Sequence, residues 1–233
     1  MSPCVRQTEI RPPADRIAHI WTIDLTREEL AAGESLSADE RVRAGRMRAP
    51  YQSRWIASRE GLRRILARYA EANPRSLVIG TKANGKPLTE QGPAFSMSHT
   101  RDVALVAVTN RGEIGVDVEE VRPFDDMADL LDRFFSPVER RGINSTEPER
   151  RTDAFYRCWT RKEAAVKAEG SGLRALEGLS VDWSDVERPA VLSTPKGFAD
   201  PSLWTLISLA PSPRHVGALA TTGSIEQIEL FQL

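Results

Sequence analysis

Two acidic residues, Asp117 and Glu119, lie two positions apart in the segment GVDVE. Apolar and polar residues alternate over 114–121, which predicts a β-strand, and residues i and i+2 of a strand project from the same face. Two carboxylates side by side on a half-buried strand repel each other, and a hard divalent cation such as Mg²⁺ would relieve that repulsion. The same spacing, taken alone, is also typical of an acidic strand surface that faces solvent.

A third acidic residue, Glu163, lies in the segment WTRKEAAVK, within a predicted helix over 150–169. Lys162 falls inside the apolar stripe of that helix, so its stem must pack and its ammonium group must find a partner. Glu163 and Lys167 lie one turn apart at the edge of the stripe. By itself this spacing is typical of a Glu–Lys pair on a helix surface.

His99 follows Ser98 in the serine-rich segment FSMSH, directly before an apolar strand predicted at 103–109. A lone histidine is most often structural. The two cysteines, Cys4 and Cys158, show no ligand spacing with each other or with the histidines, so we expect two reduced thiols rather than a disulfide or a zinc site.

The clearest helix is predicted at 54–70, where apolar residues recur on one face. Arg59 lies along this apolar face. Because a long cation is rarely buried without a partner, we expect Arg59 to contact either a bound anion or an internal carboxylate. Residues 41–68 contain nine arginines and only one acidic residue, Glu60.

The elements that must position these residues belong to a chain of 233 residues with a net charge of −1. Residues 1–112 carry 18 basic and 12 acidic side chains, and residues 113–233 carry 14 and 21. A basic half and an acidic half suit a cleft that takes a polyanion on one wall and a cation on the other, or two halves that simply attract each other.

Hairpins and helices alternate along the chain, and Asn84-Gly85 is a strong hairpin signal, so we predict an α+β fold. The composition excludes a disordered or collagen-like chain. No apolar run approaches the roughly 18–20 residues that span a bilayer, and residues 1–16 contain no apolar signal-peptide region. We therefore expect a cytoplasmic protein with no membrane association.

Five segments, taken in order, resemble the 4′-phosphopantetheinyl transferase superfamily, in particular its long surfactin-synthetase-activator type. They are NGKP (84–87), FSMSH (95–99), GVDVE (115–119), FFSPVE (134–139) and WTRKEAAVK (159–167). The resemblance is closest over residues 84–170 and looser in the arginine-rich region before them. It implies two pseudo-symmetric α/β subdomains in one chain, here 1–112 and 113–233, and hence a monomer.

The resemblance also implies an activity, the Mg²⁺-dependent transfer of 4′-phosphopantetheine from coenzyme A to a serine of an apo carrier protein, with release of 3′,5′-ADP. Mn²⁺ is a possible substitute for Mg²⁺. Asp117, Glu119 and Glu163 match the metal-binding acids. Glu163 matches the general base, and Lys167 the lysine that contacts the phosphates and the leaving group. The partner is an acyl or peptidyl carrier of a fatty acid, polyketide or nonribosomal peptide synthase.

The coenzyme A contacts implied by the resemblance fall on both halves of the chain. Ser98 and His99 match the pair that recognises the 3′-phosphate, and Gly85 and Lys86 match a nucleotide-contacting hairpin. Lys162 occupies the lysine position of the family's Lys-Glu pair and is assigned to the coenzyme A site. Arg43 is a candidate for a second phosphate-binding cation in the same site.

The sequence departs from the family pattern at two positions. Ser96 replaces a frequent asparagine, and Glu40 stands where a phosphate-binding lysine is expected, which leaves Arg41 or Arg59 to substitute for it. Two other functions are also compatible with parts of the sequence. One is a family member that binds coenzyme A without transferring it, which the intact acids argue against. The other is nucleic-acid binding through the arginine-rich helices, which the acidic half of the chain opposes.

Overall fold

The computed structural model describes residues 10–90 and 92–233. Six α-helices occur in this part of the chain: α1 (Glu28–Ala31), α2 (Ala38–Gly45), α3 (Tyr51–Tyr69), α4 (Met127–Phe134), α5 (Pro137–Ser145) and α6 (Pro148–Glu169). The strands in the first half are β1 (Ile17–Asp24), β2 (Ile79–Thr81), β3 (Pro87–Thr89), β4 (Ala94–Thr100) and β5 (Val103–Thr109). Those in the second half are β6 (Ile114–Glu120), β7 (Ser180–Val181), β8 (Val191–Ser193), β9 (Thr205–Ser212), β10 (His215–Thr221) and β11 (Gln227–Gln232).

The two main sheets repeat one arrangement. Three strands of the first sheet follow the order β1-β5-β4, and the second sheet has the order β6-β10-β9; within each set of three the neighbours are antiparallel. In each half a long helix, α3 or α6, stands in the chain between the first strand and the terminal hairpin. The α+β class predicted from the sequence is confirmed, and the repeated order makes the two halves pseudo-symmetric.

The core has three layers. Apolar side chains of both sheets meet between them, among them Ile20, Leu105, Val116 and Leu219, all at most 2% exposed. A second cluster fills the space between the first sheet and α3, and a third lies around α6. Because the middle layer draws on both sheets, each half buries apolar surface on the other.

The last strand, β11, crosses from the second half of the chain to the first sheet. It pairs in parallel with β1, from Ile17 opposite Gln227 to Thr22 opposite Gln232. A division of the chain at residue 112 falls in the turn between β5 and β6. Strand β11 does not follow this division, because it comes after residue 112 in the chain but belongs to the first sheet.

The helices follow their sequence signals closely. The helix predicted at 150–169 runs from Pro148 to Glu169 and ends at Gly170, whose φ of 75° is the left-handed conformation that commonly stops a helix. Cys158 is a buried free thiol in α6, as expected, and Cys4 lies outside the described residues. Within the part of the chain that the structure describes, no helix is long and apolar enough to cross a membrane.

Candidate active site

The acids of β6 lie beneath α6, with which β6 packs closely. Asp117 is 3% exposed and Glu119 is half-buried. Gly115, on the same face of the strand, lets α6 approach closely, because a Cβ at this position would overlap the carbonyl oxygen of Ala164. The helix therefore carries its own polar residues directly over the two carboxylates.

Lys167 is the residue of α6 that reaches the acids. Its Nζ donates hydrogen bonds to Asp117 Oδ1 at 2.6 Å and to Ser98 Oγ at 2.8 Å. Ser98 Oγ in turn donates to Asp117 Oδ1 at 2.7 Å. Three residues predicted from separate motifs thus form one network that joins the two halves of the chain.

The buried acids affect one another's ionisation. Burial raises the pKa of Glu119 to about 7, with a further contribution from the negative charge of Asp117. Burial and the charge of Asp117 likewise raise the pKa of Glu163 to about 7. Lys167 opposes both shifts but does not cancel them. The site therefore holds more carboxylate than it has positive charge to compensate.

Thr100 is a member of this site that the motifs did not single out. Its Oγ1 donates a hydrogen bond to Glu119 Oε2 at 3.1 Å. No strand is predicted over 94–100 from the sequence, whereas in the structure β4 places the hydroxyl groups of Ser98 and Thr100, two residues apart, on one face.

His99 and Arg59 approach the network from the first half of the chain. His99 is an exposed residue of β4. Desolvation lowers the pKa of His99, and the positive charges of Lys167 and Arg59 lower it further. Three basic side chains close enough to influence one another form a favourable place for an anion.

Arg59 also contacts an internal carboxylate, which confirms the expectation for a cation on an apolar helix face. Its guanidinium group pairs with Glu40 Oε1 at 2.7 Å, and Arg63 pairs with Glu40 Oε2 at 2.6 Å. Burial alone would raise the pKa of Glu40, but the backbone N–H of Ser37 and the two arginines hold it below its usual value. At the position of the expected lysine, the chain thus has an acid that orients Arg59.

Lys162 requires a correction to the expected set of cofactor contacts. Its side chain is 0% exposed, and Nζ donates to Glu139 Oε2 at 2.9 Å and to the carbonyl oxygen of Leu179. Glu139 also accepts the backbone N–H of Val181 at 2.8 Å and caps the start of α5 through Ser136. An ammonium group enclosed in this way ties α6 to α5 and cannot reach a ligand.

The hairpin of β2 and β3 packs on the end of α6, and Lys86 is used for that attachment. Its Nζ donates to the carbonyl oxygens of Ile114 at 2.9 Å and Ala168 at 2.7 Å, and it pairs with Glu113 at 2.7 Å. With two hydrogen bonds and an ion pair to its ammonium group and 7% of the residue exposed, Lys86 anchors the hairpin rather than offering donors to a nucleotide.

The other two expected contacts lie at the surface. Gly85 forms the turn of the hairpin with a φ of 85°, which only glycine adopts easily, and it is exposed. Arg43 is exposed on α2, with its guanidinium carbon 5.4 Å from the centre of the Trp55 ring.

The acids have the chemistry of a divalent cation site. Asp117 Oδ2 is buried and accepts no hydrogen bond, and carboxylate oxygens are the ligands that Mg²⁺ prefers. Across residues 10–90 and 92–233, however, no three side chains of His, Cys, Asp or Glu are grouped closely enough to hold a metal ion. The Lys167 ammonium group already provides a positive charge against Asp117 Oδ1.

Comparisons with known proteins agree with the motifs. Residues 113–220 match the family model of the 4′-phosphopantetheinyl transferase superfamily. The chain is 36% identical over 216 residues to the 4′-phosphopantetheinyl transferase HetI of Nostoc sp., which covers 88% of this chain and 87% of that protein. It is 33% identical over 200 residues to the 4′-phosphopantetheinyl transferase psf-1 of Bacillus pumilus, which covers 84% of each.

Proposed function

The chain belongs to the 4′-phosphopantetheinyl transferase superfamily, and from that premise we propose that it transfers the phosphopantetheine arm of coenzyme A to a serine of an apo carrier protein. The observation that carries the proposal is the hydrogen-bond network of Ser98, Asp117 and Lys167. The negative charge of Asp117 also raises the pKa values of two further acids, Glu119 and Glu163. Coenzyme A is the co-substrate and 3′,5′-ADP is the second product.

Asp117, Glu119 and Glu163 are the residues that would hold Mg²⁺, and Mn²⁺ has the same preference for oxygen ligands. Support comes from the unpaired Asp117 Oδ2 and from the excess of carboxylate at the site. When bound, the cation would offset the negative charge of the pyrophosphate and polarise the phosphorus under attack.

In the proposed reaction the carrier serine oxygen forms a bond to the phosphorus that bears the pantetheine arm. The bond between this phosphorus and the bridging oxygen breaks, and that oxygen keeps the electron pair as part of the departing 3′,5′-ADP. Glu163 accepts the serine proton, since a carboxyl group with a pKa of about 7 is matched to proton transfer near neutral pH. Lys167 supplies positive charge to the departing phosphate oxygen.

The phosphates would lie where basic side chains converge. We propose that Ser98, His99 and Arg59 contact them together with Lys167, and that Arg43 and Gly85 contact the nucleotide from the surface. The lowered pKa of His99 supports this arrangement, because its cationic neighbours repel an added proton and would equally attract an anion.

The carrier is proposed to approach the arginine-rich surface of α2. Arg41, Arg43 and Arg46 are exposed there, and carriers of this class are generally acidic. Fatty acid, polyketide and nonribosomal peptide carriers all fit this charge. We propose a cytoplasmic monomer, since two pseudo-symmetric halves of one chain already supply both walls of the site.

Mass spectrometry of an apo carrier incubated with coenzyme A and Mg²⁺ tests the function. We expect a mass gain of one phosphopantetheine group, and a rate at least about 100-fold lower for Asp117→Asn because a proposed metal ligand is lost. Asp15→Asn is the matched control, since Asp15 is an exposed acid that pairs with Arg111.

No mass gain on acyl or peptidyl carriers would contradict the proposal, as would full activity of Asp117→Asn. Tight coenzyme A binding without turnover on any carrier would instead support the alternative of a binding protein.

A further inference from the structure

Hydroxyl residues of β4 face the acidic strand β6, although the two strands belong to different sheets. Ser98 Oγ donates to Asp117 Oδ1 at 2.7 Å, and two residues later Thr100 Oγ1 donates to Glu119 Oε2 at 3.1 Å. Hydroxyls spaced i, i+2 on one strand thus match carboxylates spaced i, i+2 on the other. The first half of the chain supplies the donors, and the second half supplies the acids.

The two hydroxyl groups are used differently. Ser98 donates to Asp117 and also accepts an N–H from Lys167, so it belongs to the network already described. Thr100 contacts Glu119, and neither the sequence motifs nor the proposed chemistry assigns it a role.

Glu119 needs such a partner because of its surroundings. It is half-buried, and the charge of Asp117 on the same strand face repels it. A carboxylate repelled by its neighbour lowers its energy by rotating away from it, whereas a cation site needs both carboxylates on one side. A hydrogen bond to one oxygen of Glu119 restricts this rotation and leaves the second oxygen available.

We propose that Thr100 is a positioning residue: its hydroxyl group holds the Glu119 carboxylate beside Asp117 in the orientation that a divalent cation requires. The inference rests on the proposed function, since it concerns the metal site of that reaction. Hydrogen-bond partners of metal ligands typically affect metal affinity by about 10–100-fold when they are removed.

Thr100→Val tests this role because valine keeps the branched shape and removes only the hydroxyl group. Mn²⁺ binding is titrated calorimetrically into the full chain with coenzyme A present and no carrier, so that no turnover occurs. We expect Thr100→Val to raise the Mn²⁺ dissociation constant about 10-fold. Thr100→Ser, which keeps the hydroxyl group, should stay within about 3-fold of the parent, and the KM for coenzyme A should change little in either variant.

The matched control is Thr109→Val. Thr109 lies at the opposite end of the β4–β5 hairpin, where its hydroxyl group contacts the carbonyl oxygen of Arg111 in a turn. We expect this variant to bind Mn²⁺ like the parent, and thermal unfolding of all three variants shows whether each is folded.

Equal Mn²⁺ affinity of Thr100→Val and the parent would overturn the inference and leave the transferase function standing. Loss of affinity in Thr100→Ser equal to that in Thr100→Val would also overturn it, because packing rather than the hydroxyl group would then be responsible. If the parent did not bind Mn²⁺, the proposed metal site itself would be rejected. The transferase function is tested separately, by mass spectrometry of the carrier.

Discussion

At the scale of single residues, the buried carboxyl groups near Asp117 are electrostatically unfavourable when they ionise. Glu163 is 9% exposed, and burial together with Asp117 raises its pKa to about 7. Lys167 partly compensates for this by pairing with Asp117. The free energy of unfolding should therefore depend on pH through Glu163.

Glu163→Gln should change the pH dependence of stability. The pKa of Glu163 is about 7 in the folded chain and near 4.5 when unfolded, so the folded state binds more protons between these values. The free energy of unfolding of the parent therefore falls as the pH rises from about 4.5 to 7, and Glu163 contributes on the order of 3 kcal/mol to this fall. Urea unfolding with a chelator present should show Glu163→Gln to be more stable than the parent at pH 8 and equally stable near pH 4.

The exposed acid Glu187 provides the control, and Glu187→Gln should follow the parent at both pH values. A stability difference between Glu163→Gln and the parent that is the same at pH 4 and pH 8 would contradict the raised pKa.

At the scale of elements, the site depends on how closely α6 approaches β6. Gly115 lies at the closest point, where a side chain would meet the backbone at Ala164 and Ala168. Lys167 of the same helix pairs with Asp117, and Lys162 fastens the helix to α5 through Glu139. The spacing of strand and helix therefore sets the geometry of the site.

Gly115→Ala should push α6 away from β6. The added methyl group would overlap backbone atoms, which cannot rotate aside, so we expect a loss of about 3 kcal/mol of stability and a large loss of transfer activity. Chemical denaturation and the carrier assay measure the two effects.

Gly80→Ala, at a strand glycine with no neighbouring atom within 4 Å of the added Cβ, should change stability by less than about 1 kcal/mol. If both variants had the same stability, the close approach at Gly115 would not matter.

At the scale of the whole molecule, strand β11 of the second half contributes to the sheet of the first half. Strand β11 is the edge of the first sheet, and Phe231 stacks on Trp21 with the ring centres 4.7 Å apart. The middle core layer joins the sheets, and β4 presents its hydroxyl groups to β6. The site is therefore a property of both halves together.

Phe231→Ala should destabilise the protein although Phe231 takes no part in the acidic network. Loss of the ring contact with Trp21 and of apolar burial should reduce the free energy of unfolding by about 3 kcal/mol, as measured by urea denaturation. Leu230→Ala is the neighbouring control, since Leu230 is 70% exposed and should contribute less than about 0.5 kcal/mol. Similar losses in both variants would show that β11 acts only through its backbone.

Local patterns in the sequence were sufficient to predict the α+β class and several elements, but not β4, α4 or α5. Alternation over 114–120 determines that Asp117 and Glu119 share a strand face, and helical periodicity predicts the course of α3 and α6. These features depend on neighbours within a few residues, which is why they can be predicted without knowledge of the fold. The order of the motifs was enough to indicate the family.

Tertiary structure alone decided which polar groups meet. Lys162 and Lys86 lie in matched motifs, yet their ammonium groups pair with Glu139 and Glu113, 23 and 27 residues away in the chain, and each also binds backbone carbonyl oxygens. The contact of Thr100 with Glu119 and the parallel pairing of β11 with β1 likewise join distant segments. Such contacts depend on the packing of both sheets and their helices, and no periodicity in the sequence encodes which partner a buried charge will find.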